Sequence, residues 1–305
     1  MTEITLLDGG MGQELIRRAG QATPLWSTQA LLDNPSLVSD VHRDYADAGA
    51  TMATTNTYAL HRDRLRGGAS NHYADDGVDL PNLEPQFAEL LNTAAAEAQK
   101  LHDRSRIAGS IGPLGASYRS DLHPPLEKAT GLYTEVAEIL APSVDVLLFE
   151  TIASLEAARA CLAAGRTTDR PVWLAFTVDD EDGTLLRSGE AVSDAVSIAA
   201  EADAVLINCS APEVIADALE ALAPAGVPTG AYGNAFTMIT KAFLEGGTTA
   251  EDLSAREDMT PDVYATYAMQ WVDQGATIIG GCCETGPAHI AEIAKRLKAA
   301  GHTLV

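Results

Sequence analysis

Residues 276–301 read ATIIGGCCETGPAHIAEIAKRLKAAG. A short β-branched apolar run (276–281) enters a turn with two adjacent cysteines, Cys282 and Cys283. The turn leads into a helix-length segment (286–301) that stops at Gly301. Strand, functional turn and helix follow one another within a single unit. Outward from it, the same unit recurs along the chain.

Further apolar runs lie at 4–7, 50–55, 106–111, 144–149, 171–178, 202–208 and 227–232, making eight with the quoted one. Several lack strict alternation, as strands buried on both faces do. Helix-length segments separate them, at 35–49, 83–104, 130–142, 154–165, 191–202, 212–224, 260–275 and 286–301. Ser154 and Thr260 are expected N-caps. Gly49, Gly165, Gly275 and Gly301 are expected to close helices. Eight strands alternating with eight helices over residues 1–305 predict a single-domain α/β TIM (β/α)8 barrel. The competitor, an open doubly wound sheet, is weakened because no G-x-G-x-x-G follows the first strand. Two polar, Gly-bearing stretches, 61–82 and 234–259, are expected as loops over one face.

The 43 acidic and 20 basic residues give a formal charge of −23, which argues against nucleic acid or an anionic membrane surface as partner. No apolar run is long enough to span a bilayer, and the N-terminus lacks a signal-peptide pattern, so a cytoplasmic location is expected. Thiols stay reduced there, and paired cysteines are more often metal ligands or catalysts than structural disulfides.

In such a barrel the chemistry sits where the strands end. Those positions are Asp8-Gly9-Gly10-Met11, Asn56 and Tyr58, Gly112 to Gly115, Glu150, Asn208-Cys209, Tyr232, and Cys282-Cys283. Three of the four cysteines thus fall on one face, from the sixth and eighth strands. A catalytic zinc takes three protein ligands and keeps a fourth position open, a pattern that Cys209, Cys282 and Cys283 would fill. Neighbouring residues on a strand face opposite ways, so both cysteines reach one metal only if the backbone bends. Gly280 and Gly281 are expected to permit that bend. A vicinal disulfide would be geometrically awkward. None of the seven histidines lies at a strand end. Cys161, within a helical segment, reads as a small buried hydrophobe. Glu150 and Asp8 end apolar runs, so each is paired, hydrogen-bonded to loop amides, or poised for a ligand.

The segments LLDGGMGQEL (6–15), NTY (56–58), FET (149–151), NCS (208–210) and GGCCET (280–285) resemble, in order, those of the homocysteine S-methyltransferase family. That resemblance implies a barrel with zinc on Cys209, Cys282 and Cys283. It implies that Asp8, Gly9, Gly10, Met11 and Glu150 bind the amino acid part of homocysteine: loop amides for the carboxylate, Glu150 for the ammonium. The implied reaction is methyl transfer from a cationic onium donor to the homocysteine sulfur, giving methionine. Asn56, Tyr58, Tyr118, Asn208 and Tyr232 are further candidates for contact with substrate or donor, the tyrosines and Trp26 through cation–π attraction. No catalytic base is expected beyond the zinc site. The chain lacks the C-terminal extension of betaine-type enzymes, and GPLGASYRSDLHPP (112–125) differs from the GPYGA form of S-methylmethionine enzymes. S-methylmethionine or S-adenosylmethionine is the expected donor, with a betaine-like ammonium as the alternative. A metal-free phosphate-binding barrel and a non-catalytic thiol or zinc sensor stay open as rival functions.

Overall fold

The computed structural model describes residues 2–20, 25, 27–66, 81–239 and 254–305. Eight parallel strands occur where the apolar runs predict them. They are β1 (Glu3–Leu6), β2 (Met52–Thr54), β3 (Arg106–Ile111), β4 (Val146–Ile152), β5 (Val172–Phe176), β6 (Ala204–Asn208), β7 (Thr229–Tyr232) and β8 (Ile278–Ile279). Each pairs in parallel with the next from β2 to β8, and β8 pairs with β1. A bridge between Leu7 and Met52, with Thr51 N–H donating to Leu6 O at 2.7 Å, closes the ring. The fold is a TIM barrel.

The core has two layers. Along β4, Val146 and Leu148 belong to the cluster inside the barrel, with Leu7, Met52, Ala108, Leu206, Tyr232 and Ile278. Leu147 and Phe149 belong to the cluster between strands and helices. This is the period of two of an extended chain, with both faces apolar because both are covered. It places Glu150 on the inward parity, above Leu148. By the same count Ser110 on β3, Asn208 on β6 and Tyr232 on β7 point inward at the end where the strands finish.

Helices follow the expected segments with local differences. Ser154 Oγ accepts from Ala157 N–H and Thr260 Oγ1 from Val263 N–H, so both expected N-caps form. Gly49, Gly275 and Gly301 have φ of 112°, 101° and 85°, the left-handed stop that glycine permits. Gly165 differs: it lies in the last turn of the helix Leu155–Gly165, and a Cβ there would come within 2.6 Å of Val172 on β5. Its small size lets the helix sit on the sheet. The segment 191–202 is shorter than expected, a 3-10 turn at Val192–Ala195 and one α-turn at Val196–Ala199. Among the described residues three helices lie outside the expected set: Met11–Ala19, Ser27–Asp33 and the short Arg62–Leu65 at the start of the expected loop 61–82. A ninth strand, β9 (Thr303–Leu304), pairs with Glu3 and Ile4 where the sequence reads as a tail. The expected loops 61–82 and 234–259 lie partly outside the described residues.

Gly165→Ala forces a methyl group into a filled helix–sheet contact. It should cost roughly 1–3 kcal/mol, the usual penalty of overpacking. Urea unfolding should show a lower midpoint with an unchanged slope.

Candidate active site and metal centre

The turn after β8 is held from several sides. Gly281 N–H donates to Asp8 O at 3.0 Å, Cys282 N–H to Gly233 O at 3.0 Å, and Ala235 N–H to Cys283 O at 2.9 Å. Tyr264 O–H reaches Gly233 O and Gly280 O at 2.8 and 2.9 Å, and Tyr45 O–H reaches Thr285 O at 3.0 Å. The glycines act differently from the expectation. Neither Gly280 nor Gly281 has a positive φ; a Cβ on Gly281 would overlap Thr285 Oγ1, and one on Gly280 would lie 2.6 Å from Leu7 Cβ. They allow close approach. Glu284 in this turn (φ 60°) and Cys209 after β6 (φ 48°) are left-handed, as are Thr151 (φ 57°) and Tyr118 (φ 66°). Non-glycine residues held there mark backbone that its surroundings over-determine, a pattern that clusters at functional sites.

The result is a cluster of sulfurs. Cys209 Sγ lies 3.0 Å from Cys282 Sγ and 3.8 Å from Cys283 Sγ, and all three fall within 4.8 Å of one another. Thiolates about 2.3 Å from a tetrahedral ion sit about 3.8 Å apart, so the cluster fits a thiolate-bound metal such as zinc. Among the described residues no other group of histidine, cysteine or carboxylate side chains is placed this way. Cys209 is buried, whereas Cys282 and Cys283 are half-buried. Hydrogen bonds from the Cys282 and Cys283 thiols, and from the Tyr118 hydroxyl, hold the Cys209 thiol well below its ordinary range. Their contacts with Cys209, together with burial, push Cys282 and Cys283 up. Cys161 stands apart, buried in its helix with its thiol pushed up by burial.

Beside the sulfurs lies a carboxylate. Glu150 is 8% exposed and accepts hydrogen bonds from Ser110 Oγ and from Tyr232 O–H, the latter at 3.0 Å. Burial raises its carboxyl from 4.5 to about 7, against the pull of those two hydrogen bonds. Asn208 occupies the same inward layer but braces β4, its Oδ1 accepting from Thr151 N–H at 2.9 Å and its Nδ2 donating to Thr151 Oγ1 at 3.1 Å.

Asp8 accepts from Thr54 N–H and Thr54 Oγ1 at 2.8 and 2.9 Å, joining the ends of β1 and β2. Gly9 packs so tightly on Thr285 O that a Cβ would overlap it. Gly10 N–H donates to Thr285 O at 2.8 Å, and Met11 opens the helix that follows. Asn56 donates to Ser27 O at 3.0 Å, and Tyr58 O–H meets Ser117 Oγ at 2.8 Å. Tyr118 O–H lies 3.0 Å from Cys209 Sγ, while its ring carries the Arg187 guanidinium 5.3 Å from the centroid. Trp26 falls outside the described residues.

The structure thus gathers Cys209, Cys282, Cys283 and Tyr118 at one point. Glu150, Tyr232 and Asn208 form a layer beside them, and Asn56 and Tyr58 are tied to neighbouring loops. It adds a buried pair that the sequence does not mark. Arg187 donates to Asp180 Oδ1 at 2.7 Å, and that carboxylate also accepts from Ala211 N–H and Ile239 N–H, each at 2.8 Å. Both residues sit in the acidic stretch DDEDGTLLRSGE (179–190), between the expected strand 171–178 and the expected helix 191–202.

A profile of the homocysteine S-methyltransferase family matches residues 5–297. The chain belongs to this family. Homocysteine S-methyltransferase of Escherichia coli (strain K12) is 30% identical, over 96% of this chain and 95% of that one. Selenocysteine methyltransferase of Astragalus bisulcatus is 30% identical over 96% of this chain and 92% of its own. The crystal structure of an E. coli homocysteine methyltransferase in its metallated form superimposes with a TM-score of 0.75, at 29% identity, covering 97% of this chain and 96% of that one. The protein is accordingly an enzyme of the methyltransferase class, and among the described residues no helix is long and apolar enough to cross a membrane.

The raised pKa of Glu150 has a measurable consequence for stability. The folded state holds this proton more tightly than the unfolded chain, so stability from this group is full below about 4.5 and lost as pH rises to about 7. The gap amounts to on the order of 3 kcal/mol. Glu150→Gln should leave stability unchanged near pH 4 and raise it by about 1–3 kcal/mol at pH 8, read as urea midpoints at the two pH values. Equal shifts at both would contradict the buried, charge-penalised carboxylate.

Proposed function

We propose that the protein transfers a methyl group from a cationic onium donor to the sulfur of homocysteine, giving methionine, at a zinc ion held by Cys209, Cys282 and Cys283. The observation that carries this reading is the convergence of three thiols from two strand ends. It is supported by the metallated relative and by the absence, among the described residues, of a fourth protein side chain in the cluster. Three ligands leave a position for an incoming thiol. When bound, zinc would strip the proton from that thiol and keep its sulfur nucleophilic at neutral pH.

The chain's own groups bind and orient. Glu150, inward on β4, receives the substrate ammonium; ionised, it gains a charge-assisted partner for a carboxylate that burial otherwise penalises. The diglycine turn receives the carboxylate. With Gly10 N–H already donated to Thr285 O, the amides of Gly9 and Met11 carry that role, at the positive end of the helix Met11–Ala19. Asp8 fixes this turn through Thr54 and adds negative charge near the ammonium. Substrate is then anchored at its amino acid end, with its side chain directed toward the three sulfurs.

A sulfonium donor fits better than an ammonium. Neutral sulfide is the better leaving group, so methyl transfer from sulfonium demands less of the site. S-methylmethionine is favoured over S-adenosylmethionine, and both over betaine. The methyl carbon gains its bond to the homocysteine sulfur as the donor leaves with its electron pair. The chain acts in the cytoplasm on small molecules alone.

Purified protein should carry about one zinc per chain. Cys209→Ala, Cys282→Ala and Cys283→Ala should each weaken zinc binding by more than about a hundred-fold, since even outer partners of a metal ligand are worth 10–100-fold. Each should abolish methionine formation, and Cys161→Ala should alter neither. Full zinc content and full rate in Cys283→Ala would rule out the three-thiolate site. Equal concentrations of S-methylmethionine, S-adenosylmethionine and betaine, supplied with homocysteine, should yield methionine fastest from S-methylmethionine. Methionine from betaine alone would overturn the donor assignment and leave the metal site standing.

A further inference from the structure

A site of this kind has a selectivity problem. Four sulfurs would share one metal, three from the protein and one from the substrate, and only the last should be methylated. The three protein sulfurs are not equivalent. Among the described residues, of the three sulfurs Cys209 Sγ is the one hydrogen-bonded to a phenol, with Tyr118 O–H at 3.0 Å. A phenol is protonated at neutral pH, so against a thiolate the tyrosine is the donor. The contact lies among Phe236 and Ile239, in an apolar pocket where such a bond is strong.

Tyr118 is held for this contact. Its φ is 66° and that of Cys209 is 48°, so both partners adopt backbone that side chains other than glycine avoid. The Arg187 guanidinium lies 5.3 Å from the centre of the Tyr118 ring, in cation–π range. Arg187 and Asp180 are each 2% exposed at their side chains, and Arg187 Nη1 also donates to Ile239 O at 3.2 Å. Asp180 accepts from Ala211 N–H, two residues beyond Cys209, so one carboxylate fixes both the cation and the strand end that carries the sulfur. A cation on the ring draws electron density from the phenol and makes its O–H a stronger donor.

We infer that Tyr118, backed by Arg187 and Asp180, is a positioning residue that withholds the Cys209 sulfur from methylation. The hydrogen bond draws charge from that thiolate, leaving the substrate sulfur, which lacks it, as the better nucleophile. This rests on the proposed metal-thiolate site and goes beyond it by assigning a role to a residue that does not bind the metal.

The test uses zinc-loaded full-length protein without homocysteine, and methyl iodide as the methyl source. The methyl carbon forms a bond to a cysteine sulfur, the carbon–iodine bond breaks, and iodide leaves with the electron pair, cancelling the sulfur's charge. Peptide mass spectrometry reads the rate at each cysteine. Tyr118→Phe should raise methylation of Cys209 relative to Cys283 by roughly ten-fold, as for a charge-assisted hydrogen bond partly lost as the sulfur gives up its charge. 3-Fluorotyrosine at position 118, a more acidic phenol of nearly the same bulk, should lower that ratio below the wild-type value. This second arm separates hydrogen bonding from access, because access is hardly altered. An unchanged ratio in the fluorinated protein, with zinc retained, would overturn this inference alone. Wild-type protein that binds no zinc would overturn the metal site and this inference with it.

Discussion

Three thiols within 4.8 Å of one another set the terms for the rest of the site. Two thiolates about 4 Å apart repel by about 4 kcal/mol even at an effective dielectric constant of 20, so three cannot ionise together without a cation. The barrel must therefore hold the sulfurs together against their own charge. Its means are visible in the turn after β8, where Asp8, Gly233, Ala235, Tyr264 and Tyr45 all contribute hydrogen bonds to backbone around Cys282 and Cys283. The left-handed backbone at Cys209 and Glu284 is part of the same cost. A preformed cluster costs less to organise when the ion arrives, the general benefit of rigid support around ligands.

The same principle governs the neighbouring layer. Ser110, Glu150, Asn208 and Tyr232 point inward because the strand period puts them there, above the apolar plug of Leu148 and Leu206. Asn208 and Tyr232 are spent on partners, Thr151 and Glu150. Glu150 keeps two hydrogen bonds and still pays for burial with a carboxyl raised to about 7. A carboxylate retained under that penalty fits a site awaiting an ammonium. Under the proposed function, the stability given up at this residue would leave a counter-charge in place for a charged substrate.

Much of this was legible in the sequence, for identifiable reasons. Barrel strands are buried on both faces, so their apolar runs mark them without alternation, and the residue after each run becomes a site candidate. That reasoning reached Cys209, Cys282, Cys283 and Glu150 directly. It failed where spacing carries no information. Gly280, Gly281 and Gly165 are small because of what packs on them from elsewhere in the chain, and no local pattern distinguishes that from a turn. The helix Met11–Ala19 lies between the first expected strand and the helix segment at 35–49, in a stretch that the alternation of runs leaves unassigned. Arg187 and Asp180 sit in a stretch to which the alternation of runs assigns no element, and the folded barrel buries them as a pair, with Arg187 over the Tyr118 ring.

The proposed site turns on how many sulfurs surround the metal and where the next one arrives. Zinc-edge X-ray absorption of the purified protein, before and after addition of homocysteine, addresses it most directly. The account predicts three sulfur neighbours at about 2.3 Å with one lighter atom, becoming four sulfurs when homocysteine is present. A sulfur count that stays at three on saturation with homocysteine, or a first shell containing imidazole nitrogen, would contradict it.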